Sequence, residues 1–278
     1  MKFVDIKNDI AFRKIFGNEN KKEILISFLN AVLQLPKGKL IKTIEIKNPY
    51  QLPEIKDLKS SILDVKVTDE RNITYIVEMQ VEEPDGFDKR VQYYTSKQYA
   101  SQIDVGEDYP KLNQVVFIGI LNFKFFEGSD YLTKHLITNQ KTGKQELSDL
   151  EYNFIELPKF EEEKIKIETL IEKWIYFIKK APNLDVIPSN VNDEGLKHAY
   201  EDADKHKWTK EELLAYDYAS MRKQDERGKL TNAEKKGREE EKFDIAIKLY
   251  KKSMSIEDIS EITELSTAKI KEILQIAE

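Results

Sequence analysis

Residues 62–81 read ILDVKVTDERNITYIVEMQV, two alternating runs joined by a polar segment. In the first run Leu63, Val65 and Val67 fall on one face, and Asp64, Lys66 and Thr68 on the other. In the second, Ile73, Tyr75, Val77, Met79 and Val81 share a face, while Ile76, Glu78 and Gln80 share its opposite. This is the pattern of a β-hairpin, with Asp69, Glu70, Arg71 and Asn72 as turn residues. Loop length decides the register. A three-residue loop, Glu70 to Asn72, pairs Asp69 with Ile73 and sets Asp64 directly opposite Glu78. A two-residue loop pairs Asp64 with Val77 and throws the two acids onto opposite faces. In the first register two carboxylates meet side by side, with Gln80 next along. Like charges facing each other on paired strands are destabilising unless neutralised, and a hard divalent cation takes carboxylate oxygens as ligands.

Upstream, residues 8–16 (NDIAFRKIF) have helical spacing with Asn8 or Asp9 as N-cap, and residues 21–33 form a second amphipathic helix. Residues 39–47 alternate and predict a first strand, stopped by Pro49 and Pro53. Downstream, a turn at 82–86 leads into a helix from Phe87 to about Asp104. The unbroken apolar run VVFIGIL, 115–121, reads as a central strand covered on both faces. Residues 131–138 and 152–157 add two strands. After Pro158 only helices are expected: 161–180, 193–205, 209–227, 233–252, and two short ones in 255–274 capped by Ser255 and Ser266. The fold class is therefore α/β, of the α+β kind: a mixed sheet with helices against it, followed by an all-α C-terminal region. The expected divisions are 1–160 for the sheet domain, 161–228 for a helical extension, and 229–278 for a charged helix with its tail.

Composition narrows the function. The 278 residues are 40% hydrophobic and 35% charged, with a net charge of −6. Such a charge argues against nucleic-acid binding over the whole surface, so any basic groove is local. There is no cysteine, which removes disulfides and thiolate chemistry. No stretch reaches the roughly 20 apolar residues of a membrane span, and MKFVDIKNDIAF lacks the pattern of a signal peptide, so a cytoplasmic protein with no membrane partner is expected. His135, His198 and His206 show no zinc spacing. With no P-loop, no G-x-G-x-x-G and no G-x-S-x-G, a nucleotide cofactor and serine hydrolase chemistry are disfavoured.

An Asp on one strand followed by Glu-x-Gln on the next, from Asp64 to Gln80, resembles the signature of the PD-(D/E)xK nuclease superfamily. The IVEMQ form is similar to the Rpn branch, recombination-promoting nucleases often labelled transposases. The similar segments run in order along nearly the whole chain: NDIAFRKIFGNE, ILDVKVTD, YIVEMQ, RVQYYTSK, GEDYPKL with VVFIGILNF, YNFIELPKF, and the tail SIEDISEITELS. The resemblance implies a restriction-endonuclease-like core and hydrolysis of DNA by Mg²⁺ or another divalent cation, in recombination, mobile-element or phage biology. It implies Asp64 and Glu78 as metal ligands, with the backbone carbonyl of Met79 as a further one. Gln80 stands where most of the superfamily carries a lysine that handles the attacking water. Asp9 matches an acid on an early helix that leans toward the metal, although a plain N-cap explains it equally well.

A glutamine orients water through its amide but brings no positive charge. The compensating cation must come from elsewhere. Lys66 shares the face of Asp64, and Lys89 and Arg90 open the next helix. Arg90 is the preferred phosphate contact, because a guanidinium grips phosphate bidentately; Lys66 and Lys89 could approach a phosphate too but read better as exposed surface cations. Tyr93, Tyr94 and Tyr99 stack on nucleic acid or belong to the core. The tail 256–274 has the rhythm of a helix-turn-helix, and pairing with another chain, or with the charged helix before it, is an equal use for it. A homodimer through the C-terminal helices is expected, since relatives that cut both strands use two sites. The rival is a catalytically weak or inactive nuclease scaffold that binds DNA or oligomerises. RNA is a further substrate option.

Overall fold

The computed structural model describes residues 2–47, 50–51, 61–62, 64–164 and 166–274. Leu63 of the first hairpin run and the strand-stopping Pro49 and Pro53 lie outside the described residues. Two helices open the chain, α1 (Asp9–Phe16) and α2 (Lys22–Leu33). Five strands follow: β1 (Ile44–Lys47), β2 (Tyr50–Gln51), β3 (Ser61–Ile62), β4 (Val65–Asp69) and β5 (Thr74–Gln80). After α3 (Phe87–Ala100) come β6 (Val115–Leu121), β7 (Leu132–Leu136) and β8 (Leu150–Glu156). The rest is helical: α4 (Leu170–Lys180), α5 (Glu194–Ala203), α6 (Lys210–Tyr250), α7 (Ile256–Thr263) and α8 (Thr267–Leu274).

Six strands form one mixed sheet in the order β1-β4-β5-β6-β8-β7, and β2 pairs with β3 separately. The hairpin β4–β5 is antiparallel, β5, β6 and β8 run parallel, and β1 and β7 close the two edges antiparallel. α3 is the crossover that lets β6 lie parallel to β5. Every residue of β6 is buried, as an apolar run without alternation requires when both faces are covered.

Two hydrophobic layers do the covering. On one face Val65, Val67, Tyr75, Val77 and Met79 pack with α1, α2, α4 and α5, around Phe16, Phe28 and Trp174. On the other, Ile76, Phe117 and Phe154 pack under Phe87, Val91 and Tyr94 of α3. Glu78, Gly119 and Phe154 form one row across three parallel strands on that second face. A Cβ at Gly119 would lie 2.9 Å from the Phe154 ring, so glycine is what lets the ring lie flat across the row.

The sequence expectations fail where helices begin, break and share a core. α4 starts at Leu170 rather than near 161, because Thr169 and Glu172 form a reciprocal capping box that sets the first turn. The stretch 210–250 is one helix, not two. Gly228 and Gly237 each cost it only about 1 kcal/mol, and pairs such as Arg238–Glu234 support the charged stretch. The early strand is shorter than 39–47, since residues 37–39 form a 3₁₀ turn.

The expected boundary near residue 160 meets a different arrangement. The chain divides into compact units Met1–Tyr216 and Asp217–Glu278. Trp174, Phe177, Leu196 and Tyr200 are buried in the same core as the sheet. The N-terminal segment also bonds the end of α5, with the Val4 N–H donating to Ala203 O at 2.9 Å and the Lys205 N–H to Lys2 O at 3.0 Å. Within the second unit Ala246, Ile259 and Ile270 form a small core, and the Ser255 and Ser266 hydroxyls cap α7 and α8 as expected.

α5 crosses α2 at Gly195, where an added Cβ would lie 2.4 Å from the Glu23 carbonyl oxygen. Gly195→Ala is therefore expected to lower unfolding free energy by about 3 kcal/mol, the scale of a severe overpacking. Urea unfolding measures it, and an unchanged midpoint would show that these helices do not meet backbone to backbone.

Candidate active site

The hairpin turn has a three-residue loop. The Asp69 N–H donates to Ile73 O and the Asn72 N–H to Asp69 O, with Asn72 in the left-handed region at φ 62°. The Asp69 carboxylate, buried under the turn, ties it together. Its Oδ1 accepts from the Arg71 and Ile73 amides, and its Oδ2 from the Arg71 guanidinium and the Tyr75 hydroxyl. The resulting register pairs Val65 with Val77 and Thr68 with Thr74. One step beyond, Asp64 stands opposite Glu78.

Thr74 and Gln80 make their backbone bonds on the β6 side, to Gln114 and Asn122. By strand alternation the N–H and C=O of Met79 face β4. There the Asp64 side chain takes the place of a strand partner, its Oδ2 accepting from the Met79 N–H at 2.9 Å. Asp64 Oδ1 accepts from Arg13 Nη2 of α1 at 3.1 Å. Glu78 is 2% exposed. Gln80 Nε2 donates to its Oε2 at 3.2 Å, and Arg90 Nη2 of α3 lies 3.7 Å from the same oxygen. Among the described residues, the buried side-chain polar atoms with no hydrogen-bond partner are Glu78 Oε1 and Arg90 Nε. One acceptor and one donor are thus left over at one place.

The electrostatics follow. Burial pushes the Asp64 carboxyl up, outweighing the Met79 amide and the Arg13 guanidinium, and the charge of Asp9 adds to the rise. Glu78 is pushed up to about 8, chiefly by burial and next by the charge of Asp64, with Arg90, Gln80 and Arg13 pulling the other way. A buried carboxylate and a partly buried one that both resist ionising suit a site that receives positive charge. The donor set fits a hard divalent cation: a carboxylate oxygen without a partner, a second carboxylate beside it, and a backbone carbonyl at Met79 facing the same strand edge. Among the described residues no group of three or more Asp, Glu or His side chains is arranged to hold a metal. A pair of carboxylates completed by waters is how Mg²⁺ is commonly held.

The remaining sequence candidates divide. Asp9 is the first residue of α1 but not its cap; Asn8 caps, its Oδ1 accepting from the Ile10 and Ala11 amides. Asp9 instead acts on Asp64 through its charge. Arg90 comes to the site and also stacks 5.2 Å from the Tyr94 ring centroid. Lys66 Nζ donates to Gln98 Oε1 of α3 at 3.4 Å, and its pKa is lowered by burial and by Lys47. Lys89 is exposed. Tyr94 is core, Tyr93 is exposed, and the Tyr99 hydroxyl donates to Asp149. His135 stacks with Phe126 and Phe154, while His198 and His206 bond Glu23 and Asp204. Sequence reasoning missed Arg13. Its signal was there: Arg13 lies four residues after Asp9, on the polar side of the helix expected to approach the acids.

A family model described as PD-(D/E)XK nuclease family transposase matches residues 6–233. No curated protein and no solved structure matches the chain. Among the described residues no helix is long and apolar enough to cross a membrane.

Because its folded pKa is raised, the contribution of Glu78 to stability is complete below about 4.5 and is lost as pH rises toward about 8. The metal-free chain should lose stability over that window, with a slope of up to about 1.4 kcal/mol per pH unit from this group. Glu78→Gln should flatten the profile. Thermal unfolding across pH checks this, and equal slopes in both proteins would remove Glu78 as the source. At the turn, Asp69→Ala removes the acceptor shared by the Arg71 and Ile73 amides, the Arg71 guanidinium and the Tyr75 hydroxyl and should cost about 3 kcal/mol, read by denaturant unfolding.

Proposed function

Since the chain belongs to the PD-(D/E)XK nuclease family transposases, we propose that it is a metal-dependent DNA endonuclease whose centre is the Asp64–Glu78 pair. The observation that carries this reading is the partnerless buried oxygen of Glu78 beside a second, partly buried carboxylate. Asp64, Glu78 and the Met79 carbonyl would hold Mg²⁺ or a similar divalent cation. When bound, such a cation neutralises the pair, acidifies a water and stabilises charge on a phosphate.

The chain's own groups supply the rest. The Met79 amide fixes the Asp64 carboxylate. Gln80, whose amide already lies along the Glu78 carboxylate, is placed to orient a water by donating or accepting a hydrogen bond. Arg90 approaches from α3 with its Nε unpaired and its Nη2 3.7 Å from Glu78 Oε2, a guanidinium available to an anion at the centre. Asp9 adds negative charge from α1, which favours cation binding. Lys66 and Lys89 lie on the same α3-covered side and would meet the nucleic-acid backbone further from the scissile bond. Pairing of two copies through the C-terminal helices would supply a second centre for the opposite strand.

Plasmid cleavage with Mg²⁺ tests the proposal. The parent should nick or linearise DNA, EDTA should abolish cleavage, and Asp64→Ala and Glu78→Ala should each reduce it by more than about a hundredfold. Cleavage that survives either substitution or EDTA would sink these roles. Salt-sensitive DNA binding without metal-dependent cleavage would leave a DNA-binding protein on a nuclease scaffold. An RNA of the same sequence in the same assay decides the substrate.

A further inference from the structure

The strand that carries Glu78 ends in a neutral Gln80, so the centre needs its positive charge from outside the strand. We infer that Arg13 of α1 supplies it, holding Asp64 before a divalent cation binds and gripping the scissile phosphate once that cation has taken its place. This rests on the reading of Asp64 and Glu78 as a cation-holding pair.

Three features of the geometry carry it. First, Arg13 Nη2 lies 3.1 Å from Asp64 Oδ1, while Oδ2 of the same carboxylate is held separately by the Met79 amide. Asp64 therefore keeps its place when Arg13 leaves. Second, the Arg13 side chain is 47% exposed, whereas Asp64 is 14% exposed. The guanidinium is thus the more solvent-accessible partner of the pair. Arg71 is the contrast in this chain, since its guanidinium is tied at once to Asp69, Tyr75 and the Lys39 carbonyl. Third, the two guanidinium groups at the centre come from different layers. α1 packs in the core on one side of the sheet and α3 on the other. Arg13 stands at the Asp64 end and Arg90 at the Glu78 end.

The charges then order events. Without a divalent cation, Arg13 offsets the negative charge of Asp64, which its Nη2 meets at 3.1 Å. A divalent ion held on the same carboxylate would repel the guanidinium through a partly buried medium, where unit charges interact several times more strongly than in water. A phosphate diester beside the ion is the nearest new anion. A planar fork of donors matches two phosphate oxygens better than an ammonium does. Lys66 does not serve in its stead, since its Nζ is turned to Gln98 on α3.

The test compares the full-length parent with Arg13→Met and Arg13→Lys in two equilibrium measurements. Mn²⁺ binding without DNA is followed by calorimetry, and binding of a fluorescent DNA duplex by anisotropy, with Ca²⁺ and with EDTA. Arg13→Met should bind Mn²⁺ about tenfold more tightly, because a competing cation is gone. It should bind DNA about tenfold more weakly in Ca²⁺, with a smaller loss in EDTA and a salt slope lower by about 1. Arg13→Lys should bind Mn²⁺ like the parent and recover part of the DNA affinity. Unchanged or weakened Mn²⁺ binding by Arg13→Met would make Arg13 a plain structural partner of Asp64 and overturn the inference. Unchanged DNA affinity in Ca²⁺ would overturn the phosphate role. A parent that binds no Mn²⁺, or whose binding survives Glu78→Gln unaltered, overturns the underlying site reading instead.

Discussion

The Asp69 carboxylate accepts from two backbone amides, a guanidinium and a phenol within one turn. A loop one residue shorter would leave those donors without a common acceptor, and this is what holds the hairpin to three loop residues. Register follows from the loop, and the site follows from the register. A slip by one position would carry Asp64 to the other face and leave Glu78 buried beside an apolar side chain. The centre thus depends on a polar knot at the far end of the hairpin, which never touches it.

Burying Glu78 opposes folding, because a carboxyl in an apolar layer loses its water. Proton uptake, Gln80 and the nearby Arg90 reduce that cost without removing it, and Glu78 Oε1 is left with no partner. The groups that surround it arrive from both sides of the sheet. α3 brings Arg90 through the aromatic layer, and α1 brings Arg13 and Asp9 from the larger core. Neither helix alone makes a site. The residues between 161 and 216 matter here too, since α4 and α5 complete the core in which α1 is seated.

The sheet was legible because its signals are local. Alternation, a turn rich in Asp and Asn, and an uninterrupted apolar run each point to one geometry, and the hairpin register could be reasoned from loop length. Helix limits were less so. The charged residues from 161 to 168 have the composition of a helix, but the Thr169–Glu172 box commits the backbone later. Gly228 and Gly237 suggest a break that a long run of Glu, Lys and Ala overrides. The acids of the site were legible as a pair, with Arg90 beside them. Arg13 was less so, because its significance is three-dimensional: NDIAFRKIF puts it one turn after Asp9, but only the fold brings it to Asp64, 51 positions along the chain. The Asp69 knot was legible as a turn but not as a hub, since its partners are divided among Arg71, Ile73 and Tyr75 and mix backbone amides with side chains.

Gly119 has a consequence for how such a centre varies. It stands between Glu78 and Phe154 in a row across the sheet, and the Phe154 ring over it touches Phe87, the first residue of the helix that bears Arg90. The position of a charged side chain is therefore governed by the thickness of an aromatic layer. A methyl group gained or lost in that layer would act as a shim under α3, raising or lowering its N-terminal turn. The distance of Arg90 from Glu78 is in this sense tunable by hydrophobic substitutions alone, with every polar residue around the pair left as it is.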